Sequence, residues 1–170
     1  MKITIIGYSG GGKTTLARKI AEKFNLPHQQ IDRIWFEAGG HTAKSDSEKQ
    51  RVRKIIEEEV TEFSKQDSWV SDGFYSRVQS LLAEKADYVV VIELPLHRRL
   101  LNHWKRVFTK EDRHPEVTLF QDLLHSFEII KRTFTFRKKL EDFKEEYSQK
   151  ITLLRSFEEL DNFFDKLEKF

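Results

Sequence analysis

The chain has 170 residues, enough for one domain built around one sizeable core. Hydrophobic residues make up 38% and charged residues 34%, as in a soluble globular protein, and no apolar run approaches the roughly 18 residues of a membrane helix. The absence of cysteine excludes disulfides and thiolate metal sites, and a net charge of +2 is too small to imply a nucleic-acid partner, although a pI near 8.7 leaves one open.

The N-terminal MKITIIGYSG has too short an apolar core for a signal peptide and leads straight into glycines, so the cytoplasm is the expected compartment. KITII reads as a first strand. From Lys13 to Phe24, Leu16, Ile20 and Phe24 recur every four residues and predict a helix. PHQQID reads as a short second strand and IWFEAGGHTAKS as loop. Residues 46–65 carry Val52, Ile55, Ile56, Val60 and Phe63 on one helical stripe.

SWVSD is a third strand, with DGFYSR as its exit and SRVQSLLAEKA as the next helix. DYVVVIELP is continuously apolar in its centre, which suits a parallel strand buried on both faces. A helical pattern follows from Leu96 to Phe108, then a charged break at 109–114. Pro115 suits the first turn of a further helix, or pair of helices, reaching about Tyr147. KITLLR is a fifth strand, and the closing helix opens on a Ser156/Glu159 capping-box pattern. Strands alternating with helices predict one α/β domain, a five-stranded parallel sheet covered on both faces.

The stretch GYSGGGKTT joins the first strand to the first helix. Gly7-x-x-x-x-Gly12-Lys13-Thr14 is the P-loop spacing. Glycines let backbone N–H groups turn inward around an anion, and the helix that follows adds its N-terminal dipole. Lys13 supplies a full charge to the β- and γ-phosphates, and the Thr14 hydroxyl is a ligand for Mg²⁺. Gly7, Ser9, Gly10, Gly11, Gly12, Lys13, Thr14 and Thr15 are therefore the expected ATP-binding residues. The chain has no NKxD string, which GTPases use to read guanine, and it is too short for the motor and transporter ATPases. Small ATP-dependent kinases remain.

GYSGGGKTTLARKIAEKF, IDRIWF, WVSDGFYSR, ADYVVVIELP and ITLLRSFEELDNFF occur in the order of the adenylate-kinase-like P-loop family. The chain most resembles the bacterial branch known as DNA-topology-modulation (FlaR-like) proteins. The resemblance implies a three-layer α/β/α P-loop fold with a short lid at about 106–116, and an ATP- and Mg²⁺-dependent phosphotransferase. It also implies a Mg²⁺-directed carboxylate at the Asp-Gly that ends the third strand, here Asp72, where strand ends converge on the ligand crevice. Glu93, ending the fourth strand, is the rival.

The resemblance further places Asp32 at the acceptor hydroxyl, where it suits a general base. If the acceptor is itself a phosphate, Arg33 and Arg77 suit a guanidinium clamp. Trp35 and Phe36 lie in the adjoining loop and could stack on a base. The basic run holding Arg98, Arg99, Lys105, Arg106, Lys110 and Arg113 falls at the family's lid. There Arg106 and Arg113 are the candidates to stabilise the transferring phosphoryl group, and Arg137 could project back from the next helix. Asn102 stands where relatives often carry another lid-base arginine. Arg155, after the fifth strand, falls in the family's adenine loop.

The function expected is transfer of the γ-phosphoryl of MgATP to a nucleotide, nucleoside or small hydroxylated acceptor. The alternatives are a nucleotide-regulated DNA-binding protein, using the basic stretches 98–113 and 131–139, and an ATPase without an acceptor. No recognised DNA-reading motif is present.

Overall fold

The computed structural model describes residues 1–109 and 119–167. In chain order the elements are β1 (Lys2–Gly7), α1 (Lys13–Phe24), β2 (His28–Gln30), α2 (Ile31–Glu37), α3 (Asp46–Phe63), β3 (Trp69–Asp72), α4 (Ser76–Lys85), β4 (Tyr88–Ile92), α5 (Leu96–Thr109), α6 (Leu119–Glu146), β5 (Ile151–Leu154) and α7 (Phe157–Leu167). The five strands form one parallel sheet in the order β2-β3-β1-β4-β5. The chain divides into two compact units, Met1–Ile6 with Lys13–Val91 and Gln149–Thr152, and Gly7–Gly12 with Ile92–Ser148 and Leu153–Phe170.

The first unit is organised by the sheet. Every residue of β3 is buried, as are all but the first residues of β1 and β4. Side chains alternate between faces along a strand, so burial without alternation means that both faces are covered. β1 pairs with β3 from Lys2↔Trp69 to Ile5↔Asp72, and β2 pairs with β3 from His28↔Val70 to Gln30↔Asp72.

Helix α1 buries Leu16, Ala17 and Ile20 on one stripe and packs on β2 and β3. It ends at Asn25, whose φ of 51° is the left-handed cap conformation, with the Leu26 N–H closing onto the Ala21 carbonyl at 2.9 Å. Helix α3 begins at a capping box: Ser45 Oγ accepts from the Glu48 N–H at 3.2 Å, and Glu48 Oε2 accepts from the Ser45 N–H at 2.8 Å.

In the second unit, α5 and α6 pack together, burying Val107 and Ile129, while Leu140 and Phe143 are buried further along α6. Helix α7 buries Leu160, Phe163 and Leu167. Ser156 caps it as its pattern predicts, accepting from the Glu159 N–H at 3.1 Å. The Glu159 carboxylate reaches one residue further back than in a regular box, accepting from the Arg155 N–H at 2.6 Å.

Two expectations change. Ile31 and Asp32, read as the end of the second strand, and 34–37, read as loop, belong to helix α2, because Ile31 and Ile34 are both buried one turn apart. β4 stops at Ile92, short of Glu93. Of the two readings of the segment reaching about Tyr147, a helix or a pair, its described part is one 28-residue helix, Leu119–Glu146. The charged break beyond Thr109, Pro115, Arg113 and most of the expected lid lie outside the described residues, as does the Arg106 side chain. Among the described residues no helix is long and apolar enough to cross a membrane.

Candidate functional site

In the second unit the glycine loop runs from Gly7 to Gly12 with φ of 142° at Gly7, 77° at Gly10 and 85° at Gly12. Two of these glycines are also required by space. A Cβ on Gly7 would lie 2.2 Å from the Ile92 carbonyl oxygen, and one on Gly10 would lie 2.7 Å from that of Arg99. The Gly11 N–H closes a turn onto the Tyr8 carbonyl at 3.2 Å.

The loop is braced from α5. Asn102 Nδ2 donates to the Gly10 carbonyl at 2.9 Å. Arg99, only 3% exposed, donates from Nε to the Leu94 carbonyl at 3.1 Å and from Nη1 to Thr133 Oγ1 at 3.0 Å. Its guanidinium sits 4.5 Å from the centre of the Tyr8 ring, a cation–π contact. Burial lowers the pKa of Arg99 from its usual value, and burial followed by Glu93 and Glu141 raises that of the Tyr8 phenol. Arg99 is thus an interior residue rather than part of a basic surface, while Arg98 and Lys105 beside it are exposed.

In the first unit Lys13 opens α1 and Thr14 follows it. Thr14 Oγ1 donates to Asp72 Oδ2 at 2.5 Å. Asp72 ends β3 and is 3% exposed, and its other oxygen, Oδ1, lies 2.7 Å from His28 Nε2. Sheet register explains the meeting. His28 pairs with Val70, and Val70 and Asp72 share a face, so His28 lies diagonally across from the carboxylate. An ionised carboxylate can only accept, which assigns the His28 proton to Nε2.

The sequence reading names Thr14 and Asp72 separately as expected Mg²⁺ residues; the direct hydrogen bond between them is a structural finding. His28 is a residue sequence reading passes over. Its only signal is a place in a three-residue strand whose neighbour cannot be read from the chain.

The remaining candidates are placed as follows. Thr15 is exposed on α1 and Ser9 is half-buried in the loop. Asp32 and Arg33 are exposed in the first turn of α2, where Arg33 Nε donates to Glu37 at 2.7 Å. Arg77, in the first turn of α4, is 3.4 Å from Glu57 of α3. Phe36 is exposed and stacked on His41 at 4.2 Å. Glu93 is 2.7 Å from Lys144 Nζ and so is paired with an ammonium. Arg155 offers an exposed side chain after β5, and Arg137 is exposed on α6.

No family model matches this chain. An adenylate kinase of Listeria monocytogenes serotype 4a (strain HCC23) is 28% identical over 128 residues, 61% of this chain and 60% of that protein. The match therefore spans about three-fifths of that relative's length. Shikimate kinase from Aquifex aeolicus superposes over 99% of this chain and 97% of its own, with a TM-score of 0.57 and 19% identity. Shikimate kinase from Bacteroides thetaiotaomicron does so over 99% and 96%, with a TM-score of 0.55 and 16% identity.

The fold is the one these two shikimate kinases share. In this fold the strand order puts β3 and β4 on either side of β1, so the chain reverses direction across the sheet at β1, the position at which open α/β sheets bind ligands. Asp72 lies at the carboxyl end of β3, and the glycine loop follows the carboxyl end of β1.

The donor chemistry fits a hard cation. The proton of Thr14 Oγ1 is committed to Asp72, which leaves the oxygen's lone pairs for a metal. A carboxylate one hydrogen bond behind suits an ion that keeps several waters. Among the described residues no three His, Cys, Asp or Glu side chains form a metal group, and Mg²⁺ brought by a nucleotide needs none.

Proposed function

We propose that the chain is an ATP-dependent phosphotransferase that passes the γ-phosphoryl group of MgATP to a nucleotide, nucleoside or small hydroxylated acceptor. The observation that carries this reading is the 2.5 Å bond between Thr14 and Asp72, the hydroxyl after the P-loop lysine and the carboxylate ending the neighbouring strand. The P-loop kinase fold of its relatives supports the reading. ATP as donor, and a chain free of cysteine, suit the cytoplasm.

In this reading Gly7–Gly12 and the first turn of α1 bind the phosphates through backbone N–H groups, and Lys13 holds the transferring group in line. Thr14 Oγ1 would hold Mg²⁺ directly and Asp72 would hold it through water, and the ion would supply charge neutralisation to the transferring phosphate. Asp32 is the residue for the acceptor hydroxyl. Arg33 and Arg77 serve a phosphorylated acceptor by leaving Glu37 and Glu57. Exposed ion pairs of this kind are screened by water and hold weakly, so their exchange for a phosphate is cheap. Arg106 and Arg113 are the arginines for the transferring group, and Arg155 the residue beside the adenine.

The test has two parts. Thermal melts with MgATP, then with MgATP plus a panel of nucleotides, nucleosides and hydroxylated metabolites, are expected to show one rise for ATP and a second for the true acceptor. With that acceptor, Lys13→Ala is expected to remove turnover without lowering the melting temperature. Unchanged turnover in Lys13→Ala sinks the reading.

A further inference from the structure

The peptide between Gly10 and Gly11 is held at both ends. Its carbonyl accepts from Asn102 Nδ2 at 2.9 Å, and its N–H donates to the Tyr8 carbonyl at 3.2 Å. Tyr8 is held in turn. The Arg99 guanidinium covers one face of its ring at 4.5 Å, and the Phe136 ring meets it edge-on at 5.6 Å and 86°. Arg99 is anchored by the Leu94 carbonyl at the entrance to α5 and by Thr133 of α6, whose hydroxyl donates onward to the Ile129 carbonyl at 2.7 Å.

Arg99 and Asn102 are one turn apart on α5 and present to the same side. The Arg99 backbone also lies where a side chain on Gly10 would go, so α5 and the loop are in van der Waals contact.

A buried guanidinium is an expensive group, and it keeps its charge. Among the described residues Arg99 has no carboxylate partner: its contacts are a carbonyl, a hydroxyl and an aromatic face. Packing alone would be met by an apolar side chain at lower cost. The arginine does two things an apolar residue cannot. It ties the start of α5 to α6 through a planar fork, and it fixes the ring of the loop's second residue.

We propose that Arg99 and Asn102 are positioning residues, which hold the Gly7–Gly12 loop in the form that receives polyphosphate. This rests on the reading of that loop as the ATP site. Asn102 fixes the plane of the central peptide, and Arg99 fixes Tyr8, whose carbonyl closes the same turn. A loop that keeps one shape before binding has less order to gain on binding, and its affinity for phosphate rises accordingly.

The experiment measures equilibrium binding of inorganic tripolyphosphate, ATP and adenosine to the full chain and three variants. Asn102→Leu keeps the volume and neutrality of the side chain and removes the donor. Asn102→Ala is the second choice should Asn102→Leu fail to fold. Arg99→Lys keeps the charge and loses the fork. The expected result is tripolyphosphate and ATP affinity lowered about tenfold in the Asn102 variants and about fivefold in Arg99→Lys, with adenosine affinity unchanged.

A role in stability alone would lower the melting temperature of the variants and leave the ratio of tripolyphosphate to adenosine affinity as in the wild type. That outcome overturns the inference and leaves the kinase reading standing. A wild type that binds neither tripolyphosphate nor ATP overturns the kinase reading itself.

Discussion

At the scale of single residues, the buried carboxylate of Asp72 is the group on which most depends, since both its oxygens are engaged, one by Thr14 and one by His28. Removing a partner from a buried acceptor costs about 1–3 kcal/mol, more than the net gain of making the bond. His28→Phe keeps the ring and leaves Asp72 Oδ1 without its donor. We expect it to lower unfolding free energy by roughly that amount in urea titrations, and an unchanged midpoint would show that water replaces the imidazole at no cost. Lys13, Thr14 and Asp72 stand out in the sequence as candidates because each belongs to a one-dimensional pattern, a fixed spacing or an Asp-Gly strand end. His28, Arg99 and Asn102 were not, because each acts on a residue of another segment and depends on strand register or helix face. Asn102 reads in the sequence as a departure from the lid-base arginine of relatives, while in the structure its amide is spent on a loop carbonyl. The Arg33–Glu37 ion pair follows from i,i+4 spacing only once 31–37 is known to be a helix, which the sequence did not show.

At the scale of elements, side-chain capping marks the starts of two helices. The Ser156 pattern announced α7 and the Ser45/Glu48 box starts α3, whereas α2 has no side-chain cap and was read as strand end and loop. Seven residues that include Trp35, Phe36 and two isoleucines, ending before Gly39 and Gly40, have little intrinsic helical preference. Burial of Ile31 and Ile34 supplies what propensity lacks, and burial is not readable from so short a segment. The α3 box gives a pH-dependent prediction. Hydrogen bonds from the Ser45 N–H, from its hydroxyl and from the Lys44 N–H hold the Glu48 pKa below its usual value. A depressed folded pKa contributes stability above the unfolded carboxyl pKa, and the contribution is lost as pH falls through the folded value. Glu48→Gln is therefore expected to melt below the wild type at pH 7, with the gap closing in acid. A gap that stays constant with pH would assign the effect to packing rather than to the charge. Ser45→Ala, which removes the reciprocal acceptor, is expected to cost about 1 kcal/mol at pH 7.

At the scale of the whole molecule, alternation of strands and helices gave a parallel sheet, but not the order β2-β3-β1-β4-β5, which sequence patterns do not carry. That order is what brings Asp72 beside β1 and so to Thr14, the pair on which the proposed Mg²⁺ site rests. Two protein oxygens, one of them expected to act through water, are too few to hold Mg²⁺ alone, since the ion gives up its waters reluctantly. Mg²⁺ without nucleotide is therefore expected to leave the melting temperature unchanged. ATP in the presence of a chelator is expected to raise it through the loop and Lys13, and ATP with Mg²⁺ to raise it further. Ligand at 100 times its Kd stabilises the native state by about 2.7 kcal/mol, a rise of very roughly 5–10 °C for a chain of this size. Asp72→Asn keeps an acceptor for Thr14 and loses the charge. It should keep the chelator-resistant part of the rise and lose most of the Mg²⁺-dependent part. A variant that gains as much from Mg²⁺ as the wild type would remove Asp72 from the metal site, and with Glu93 already held by Lys144 it would leave Thr14 and the phosphates as the ion's ligands among the candidates considered.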